Sequence, residues 1–157
     1  MPPRFDPDAL GFLISDVARL WRGEFDRRTA NAGMGLTPGE ARALVNAARA
    51  GPVRQATLAE RMHVEAMTLS TYLDKLEVRG LIRREPAPGD RRAKLVHTTE
   101  EAIPALEEIS RIGLELRHDL SAIIDAGQLE QIRQDLITMR QTLLAMRPEC
   151  SKASAQS

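Results

Sequence analysis

Apolar residues recur at three- and four-residue steps along most of the chain, and the stretch Val64–Gly80 shows the pattern most clearly. Leu69, Leu73 and Leu76 fall on one helical face there. Short or polar side chains separate them, namely Thr68, Ser70, Thr71, Asp74 and Lys75. Gly80 supplies the left-handed residue that commonly ends a helix. We therefore predict an amphipathic helix whose polar face allows its backbone to approach another surface closely.

A helix-turn-helix followed by a β-hairpin is predicted around this stretch. A shorter apolar pattern, Ala56–Met62, comes just before it, and His63-Val64 joins the two. A short helix, a tight joint and a second helix with a polar face are typical of a unit whose second helix lies in the DNA major groove. After the second helix, Leu81–Glu85 and Ala93–His97 predict two short strands. Pro86–Arg92 predicts the loop between them, so the hairpin is a candidate wing.

Long amphipathic helices are predicted on both sides of this unit. One runs from Pro7 to about Ala30, and a shorter one starts at the capping box Thr37–Glu40 and stops near Gly51. Two more are predicted from Glu100 to Gly127 and from Gln128 to Arg147. The fold class predicted from these elements is mainly α, a winged helix-turn-helix with a two-stranded β wing and long terminal helices.

Four parts are expected in the 157 residues. Residues 1–35 form an N-terminal dimerisation helix, 36–99 a winged helix-turn-helix DNA-binding domain, 100–147 C-terminal dimerisation helices, and 148–157 a disordered tail. Symmetric pairing of two chains is the simplest way to bury the apolar stripes of the long helices. Such a dimer would hold two recognition helices roughly 34–36 Å apart. A monomeric bundle, in which these helices fold back on their own core, is the alternative.

Composition and net charge limit the possible functions but do not identify one. The chain is 43% hydrophobic and 28% charged, as in ordinary globular proteins. The net charge of zero gives no support to nucleic-acid binding. However, basic residues outnumber acidic ones between Arg79 and Lys94, and the reverse holds between Glu100 and Asp125. A local basic patch can attract phosphate whatever the total charge, although charge runs are also typical of solvated faces.

Three segments make the chain similar to the MarR family of bacterial transcription regulators, as does the order of its elements. They are Leu58–Met62, Leu73–Arg83 and Gly89–Leu95. The resemblance implies that Arg92 enters the minor groove while Asp90 holds its guanidinium in position. A narrow minor groove favours arginine, and a carboxylate can orient that planar cation. Arg91 either joins this contact or braces the wing against the rest of the domain. The alternative for Asp90, Arg91 and Arg92 is that they form a solvated hairpin tip without a DNA contact.

The candidate DNA-binding residues lie in the recognition helix and in the wing. They are Ala66, Met67, Thr68, Ser70, Thr71 and Lys75, followed by Asp90, Arg91, Arg92 and Lys94. Many relatives carry arginine where this chain has Ala66 and Thr71, so bidentate reading of guanine is not available there. The hydroxyl residues can bond phosphates or base edges, and Met67 can touch a thymine methyl. We expect Lys75 and Arg79 to contact phosphate or to be solvated, and Asp74 to pair with a neighbouring cation.

Enzymatic, metal and redox functions find little support in the sequence. No nucleophile elbow, metalloprotease motif or phosphate loop is present, so we expect no catalysis and no cofactor. His63, His97 and His118 lack the short spacing of metal ligands, so no metal site is predicted. The single Cys150 excludes an internal disulfide and fits a reducing cytoplasm. No apolar run approaches the roughly 18 residues that a membrane span needs, so no membrane partner is expected.

The function predicted is that of a sequence-specific DNA-binding transcription regulator, a repressor that binds a pseudo-palindromic operator as a homodimer. The resemblance also implies a small aromatic or anionic effector that releases the DNA. Trp21 and Phe25 are candidate walls of its pocket, although core packing is the commoner role for aromatic residues at helical spacing. The alternative function is a winged-helix protein-interaction module without strong DNA binding. The neutral net charge and the missing arginines favour that alternative, whereas the basic wing favours the regulator.

Overall fold

The computed structural model describes residues 6–146, which are mainly helical with one small sheet. The helices are α1 (Leu10–Asn31), α2 (Pro38–Ala50), α3 (Gln55–Met62), α4 (Ala66–Val78), α5 (Ile103–Ser121) and α6 (Ala126–Ala145). The strands are β1 (Val53–Arg54), β2 (Ile82–Ala87) and β3 (Asp90–Thr98), and a 3-10 turn, Glu100–Ala102, precedes α5. This arrangement confirms the predicted winged helix-turn-helix fold class.

The chain divides into two compact units, one that ends at Leu116 and one that begins at Arg117. The first unit contains the hydrophobic core of the described residues, which α2, α3, α4, the sheet and the first half of α5 build together. Its fully buried side chains include Leu44, Leu58, Leu69, Leu73, Leu76 and Val96. Burying such aliphatic side chains is the main favourable term in folding, at roughly 1.5–3 kcal/mol for each.

Helix α2 begins as the sequence predicts. The Thr37 hydroxyl accepts a hydrogen bond from the Glu40 amide, and the Glu40 carboxylate accepts one from the Thr37 amide. These two bonds satisfy amide groups that have no partner within the helix. Pro38 occupies the first helical turn, where its missing N–H costs nothing. The start of α2 is therefore fixed by local chemistry.

The sheet is antiparallel with strand order β1-β3-β2. Strand β1, which the sequence pattern did not predict, pairs Val53 with Val96 and Arg54 with Leu95. Two residues are too few to show an alternating pattern, which explains the omission. The wing hairpin is also longer than predicted, because β2 extends to Ala87 and β3 already begins at Asp90. Of the predicted Pro86–Arg92 loop, only residues 88 and 89 form the turn.

Two predicted helix boundaries are wrong. Helix α1 starts at Leu10 rather than at Pro7. Helix α5 ends at Ser121 rather than at Gly127, which instead lies in the first turn of α6. The reason is Asp125, whose carboxylate accepts hydrogen bonds from the amides of residues 127 and 128 at 2.8 and 3.4 Å. An aspartate cap of this kind starts a helix, so the glycine does not end one.

The second unit contains the end of α5 and the whole of α6. Helix α6 has no buried residue, and Ile132, Leu136 and Leu143 are exposed along it. Side-chain ion pairs join Glu130 to Arg133 and to Arg117 within this unit. The predicted tail and Cys150 lie outside the described residues. Between residues 6 and 146, no helix combines the length and apolarity that crossing a membrane requires.

Candidate nucleic-acid interface

The joint between α3 and α4 depends on one residue in an uncommon conformation. His63 has a φ of 52°, which makes it the only non-glycine residue with positive φ between residues 6 and 146. Its amide donates to the Glu60 carbonyl at 3.2 Å, and the Val64 amide donates to the Ala59 carbonyl at 3.2 Å. These bonds close the end of α3 and turn the chain sharply into α4. The tight joint that the helix-turn-helix pattern predicts is therefore present.

Helix α4 is amphipathic in the predicted sense. Leu69, Leu73 and Leu76 have no exposed surface, and they anchor the helix to the core. The outer surface carries Ala66, Met67, Thr68, Thr71, Asp74, Lys75 and Val78, with Ser70 half-buried. Met67 at the start of the helix is 82% exposed and Val78 at its end is 88% exposed. The predicted recognition-helix residues thus share one open face, except that Ser70 lies at its edge.

Lys75 is tied to helix α2. Its ammonium lies 3.3 Å from the carboxylate of Glu40, a residue that is only 4% exposed. Burial would raise the pKa of Glu40, but hydrogen bonds from the Thr37 amide, Lys75 and the Thr37 hydroxyl outweigh it and lower this pKa below its ordinary value. The carboxylate is therefore charged at neutral pH. Because that charge neutralises Lys75, the lysine has less attraction left for a phosphate than its exposed position suggests.

Asp74 pairs with a neighbouring cation, as expected. The Arg84 guanidinium of β2 donates to Asp74 at 2.6 Å and to Glu77 at 2.6 and 3.0 Å. The Arg84 amide also donates to Glu77 at 2.9 Å. Hydrogen bonds from the Arg84 side chain lower the pKa of the Glu77 carboxyl below its usual range, against an opposing effect of burial. This cluster fixes the wing strand β2 to the C-terminal half of α4.

Arg79 is exposed, yet its guanidinium is bound by main-chain carbonyl groups, so the expectation of a phosphate contact stays a prediction. Its guanidinium donates to the carbonyl of Gly35 at 2.5 Å and to that of Met34 at 3.1 Å. These acceptors lie in the segment between α1 and α2, more than 40 residues earlier in the chain. Arg79 therefore holds the end of α4 against that segment.

The wing arginines lie in an irregular part of the hairpin. Ala87 pairs with Asp90 and the adjacent Pro86 pairs with Lys94, so the three intervening residues of β3 have no opposite partner on β2. Arg91 and Arg92 are two of these three residues, and both are exposed. Residues looped out of a ladder in this way bend the strand and redirect its side chains. The bulge is the feature that makes these two arginines protrude from the sheet.

Asp90 contacts Arg92 through the main chain. The Asp90 carboxylate accepts a hydrogen bond from the Arg92 amide at 3.0 Å, so it orders the bulge rather than the guanidinium that the family resemblance implied. The side chains of Arg91, Arg92 and Lys94 make no hydrogen bond or ion pair to any residue from 6 to 146. The wing therefore presents three cationic side chains that form no ion pair with any residue from 6 to 146.

The candidate residues for an effector pocket and for a metal site lie outside α4 and the turn of the wing. Trp21 is 41% exposed on α1, whereas Phe25 is half-buried and packs against the hydrophobic core. Within the described part of the chain, no group of three or more potential ligand side chains could hold a metal ion. His97 is instead a neighbour of Glu85, with the Nε2 atom 2.5 Å from a carboxylate oxygen across the wing hairpin.

Comparison with known proteins agrees with this geometry. A profile of the MarR family matches residues 36–94. The transcriptional regulator PA3341 is 32% identical over 86% of this chain and 98% of its own, with a TM-score of 0.67. A MarR-family regulator from Rhodococcus sp. RHA1 is 26% identical over 87% and 95% of the two chains, with a TM-score of 0.70. CouR from Rhodococcus jostii RHA1, in a structure with p-coumaroyl-CoA, is 28% identical over 84% and 92%, with a TM-score of 0.63. With its helix-turn-helix, its wing and these similarities, the chain belongs to the MarR family of transcriptional regulators.

Proposed function

We propose that this chain is a repressor that binds a pseudo-palindromic operator as a homodimer and acts in the cytoplasm. One observation carries the proposal: the exposed face of α4 is followed along the chain by a wing in which Arg91, Arg92 and Lys94 are exposed and have no partner among residues 6–146. Phosphate attraction depends on such local charge and not on the total of zero. We assign Ala66, Met67, Thr68, Ser70 and Thr71 to the major groove. Asp90, Arg91, Arg92 and Lys94 are assigned to wing contacts, with Lys75 at most a weak phosphate contact.

The apolar surfaces of the long helices support a dimer. On α1, Leu10, Val17 and Leu20 are each at least 60% exposed, although they repeat at helical spacing. On α6, Leu136 and Leu143 are exposed in the same way. A monomer rarely leaves long apolar stripes in water, so we propose that residues 1–35 and 100–147 pair with those of a second copy. Sedimentation equilibrium at micromolar concentration is the direct test, and a monomer would contradict this part of the proposal.

Salt-dependent DNA binding tests the proposal as a whole. Neutralised phosphates release counterions, so affinity for the DNA upstream of the gene should fall steeply between 50 and 200 mM salt. Arg92→Ala should weaken binding at least several-fold and reduce the slope of log K against log salt by about 1. Arg49→Ala is the matched control, because Arg49 is an exposed arginine of α2 outside the wing, α4 and the segments assigned to the dimer. Equal affinity of wild type and Arg92→Ala would remove the wing from the mechanism.

A protein-interaction module remains the second candidate, and the structure offers one observation in its favour. Lys75 and Arg79, the two cations on the C-terminal half of the recognition segment, are both engaged by groups of the protein itself. That leaves the wing to supply most of the attraction for phosphate. Binding to DNA that is weak and independent of salt would favour this second candidate over the repressor.

We further propose that an aromatic or anionic small molecule releases the DNA. The half-exposed Trp21 supports this proposal, as does the binding of p-coumaroyl-CoA by CouR. A ligand can release DNA only if it binds better to a conformation that fits the duplex poorly. Because Trp21 is the only tryptophan, its fluorescence reports on its own surroundings. Titration with p-coumaroyl-CoA, with coenzyme A as control, should change this fluorescence and lower the affinity for DNA together; no change in either would reject this ligand class.

A further inference from the structure

We propose that this chain reads its operator through contact of Met67 with the 5-methyl group of thymine, rather than through guanine-reading arginines. The inference rests on the proposed function, because it requires α4 to enter the major groove. It adds the residue that determines base preference and the base that this residue selects.

The position of Met67 is the first argument. In a helix-turn-helix, the N-terminal residues of the recognition helix contact the base edges. In α4 these residues are Ala66, Met67 and Thr68, all exposed. Ala66 reaches only as far as its single methyl group. Met67, at 82% exposure, extends a long apolar side chain from this end of the helix.

The second argument is that the charged side chains of this face and the Thr71 hydroxyl are already engaged. The Thr71 hydroxyl donates to the Met67 carbonyl at 3.1 Å, so it is already engaged within the helix. Asp74 is paired with Arg84, and Lys75 with Glu40. The Thr68 hydroxyl has no hydrogen-bond partner among residues 6–146, but a hydroxyl bonds several bases and discriminates little between them. The outer face therefore offers apolar contact where relatives with arginine offer hydrogen bonds.

The chemistry of the major groove then selects the base. Among the four bases only thymine presents a methyl group there, beside the O4 acceptor. The thioether of methionine is flexible and polarizable, so it adapts to a small apolar surface. Removing the methyl group while keeping every hydrogen-bonding atom should cost about four- to tenfold in affinity, as expected for one buried methyl or methylene group.

Deoxyuridine provides the test, since it differs from thymidine only by this methyl group. Duplexes are first selected by the full-length protein from a random library, and the best duplex is then resynthesised with deoxyuridine in place of thymidine. Wild type should bind the deoxyuridine duplex about 16- to 100-fold more weakly, because the homodimer loses one methyl contact in each half-site. Met67→Ala should bind both duplexes equally. Val78→Ala is the matched control, because Val78 is equally exposed at the far end of α4 and should keep the wild-type ratio.

The outcomes separate this inference from the proposed function. Equal binding of both duplexes by wild type, with affinity still reduced by Arg92→Ala, overturns the methyl contact and leaves the repressor intact. A ratio that persists in Met67→Ala assigns the methyl contact to another residue and overturns the role of Met67. If the full-length protein selects no duplex from the random library, the proposed DNA-binding function is wrong, and this inference is wrong with it.

Discussion

Tyr72 of α4 lies directly against Gly39 in the first turn of α2. A Cβ atom added at Gly39 would come within 2.4 Å of the ring Cζ atom and 2.7 Å of the phenol oxygen. Real side chains do not approach so closely, so only glycine fits at this position while the ring stays in place. The contact sets the distance between α2 and the recognition helix.

Gly39→Ala should therefore destabilise the protein by about 1–3 kcal/mol, as overpacking of a tight contact does. Chemical unfolding followed by circular dichroism measures the change. Gly23→Ala is the matched control, because Gly23 lies inside α1 with open space around it. That substitution should stabilise the helix by about 0.5–1 kcal/mol. The double variant Gly39→Ala/Tyr72→Ala should lose less free energy of unfolding than the sum of the two single variants. Full additivity of the two losses would show that the Tyr72 ring is not the obstacle.

The parts of the fold that the sequence predicts are those set by neighbours in the chain. The capping box joins Thr37 and Glu40, three positions apart, and the spacing of Leu69, Leu73 and Leu76 defines a helix face without reference to other segments. Each of these features appears in the structure as expected. The αL turn at His63 and the aspartate cap at Asp125 were missed, although both are local, because histidine is uncommon at such a joint and Gly127 gave a competing signal.

The sequence predicts which helix and which hairpin carry the candidate residues, but it does not predict the tertiary contacts of their side chains. The pattern placed Lys75 and Arg79 on the recognition segment, but it could not show that one reaches Glu40 and the other the carbonyl of Gly35. Those partners are 35 and 44 residues away, so only the tertiary fold brings them together. The bulge that exposes Arg91 and Arg92 depends likewise on the strand register, which the residue types alone leave open.

Arg79→Ala should lower stability without changing the electrostatics of DNA binding. The substitution removes two hydrogen bonds from a charged donor to the segment between α1 and α2, and because the guanidinium is exposed we expect a loss of about 1–2 kcal/mol. Arg83→Ala, which removes an exposed arginine of β2, should stay within about 0.5 kcal/mol of wild type. If Arg79→Ala instead reduced the slope of log K against log salt by about 1, Arg79 would be a phosphate contact after all.

His63→Gly should stabilise the protein. A side chain in the left-handed region costs roughly 1–2 kcal/mol, which glycine avoids, although its greater freedom in the unfolded chain offsets part of the gain. We therefore expect the free energy of unfolding to rise by about 0.5–1 kcal/mol. Ala32→Gly is the comparison, because Ala32 ends α1 with a φ of −76° and gains nothing from glycine. Destabilisation by His63→Gly would mean that the imidazole makes a stabilising contact that outweighs its strained backbone.

The ion pair between Glu77 and Arg84 should make stability depend on pH in the acid range. Hydrogen bonds from Arg84 hold the pKa of Glu77 below its ordinary value of 4.5 in the folded protein, whereas in the unfolded chain it returns towards that value. A carboxyl group with a depressed folded pKa stabilises the fold fully above the unfolded pKa. That contribution is lost as the pH falls through 4.5 towards the lower folded value, because the unfolded chain then binds a proton at Glu77 and is stabilised relative to the folded protein.

Glu77→Gln isolates this contribution from those of the other carboxylates. At pH 7 and pH 6 the variant should be less stable than wild type by a nearly constant amount, since Glu77 is almost fully ionised in the folded and unfolded states at both pH values. The gap should narrow at pH 4 and pH 3, because unfolded wild type then binds a proton at Glu77 that the folded protein, with its lower pKa, binds less readily. Urea unfolding at these four pH values measures the gap. A gap that stays constant down to pH 3 would show that Arg84 does not stabilise the charged form of Glu77.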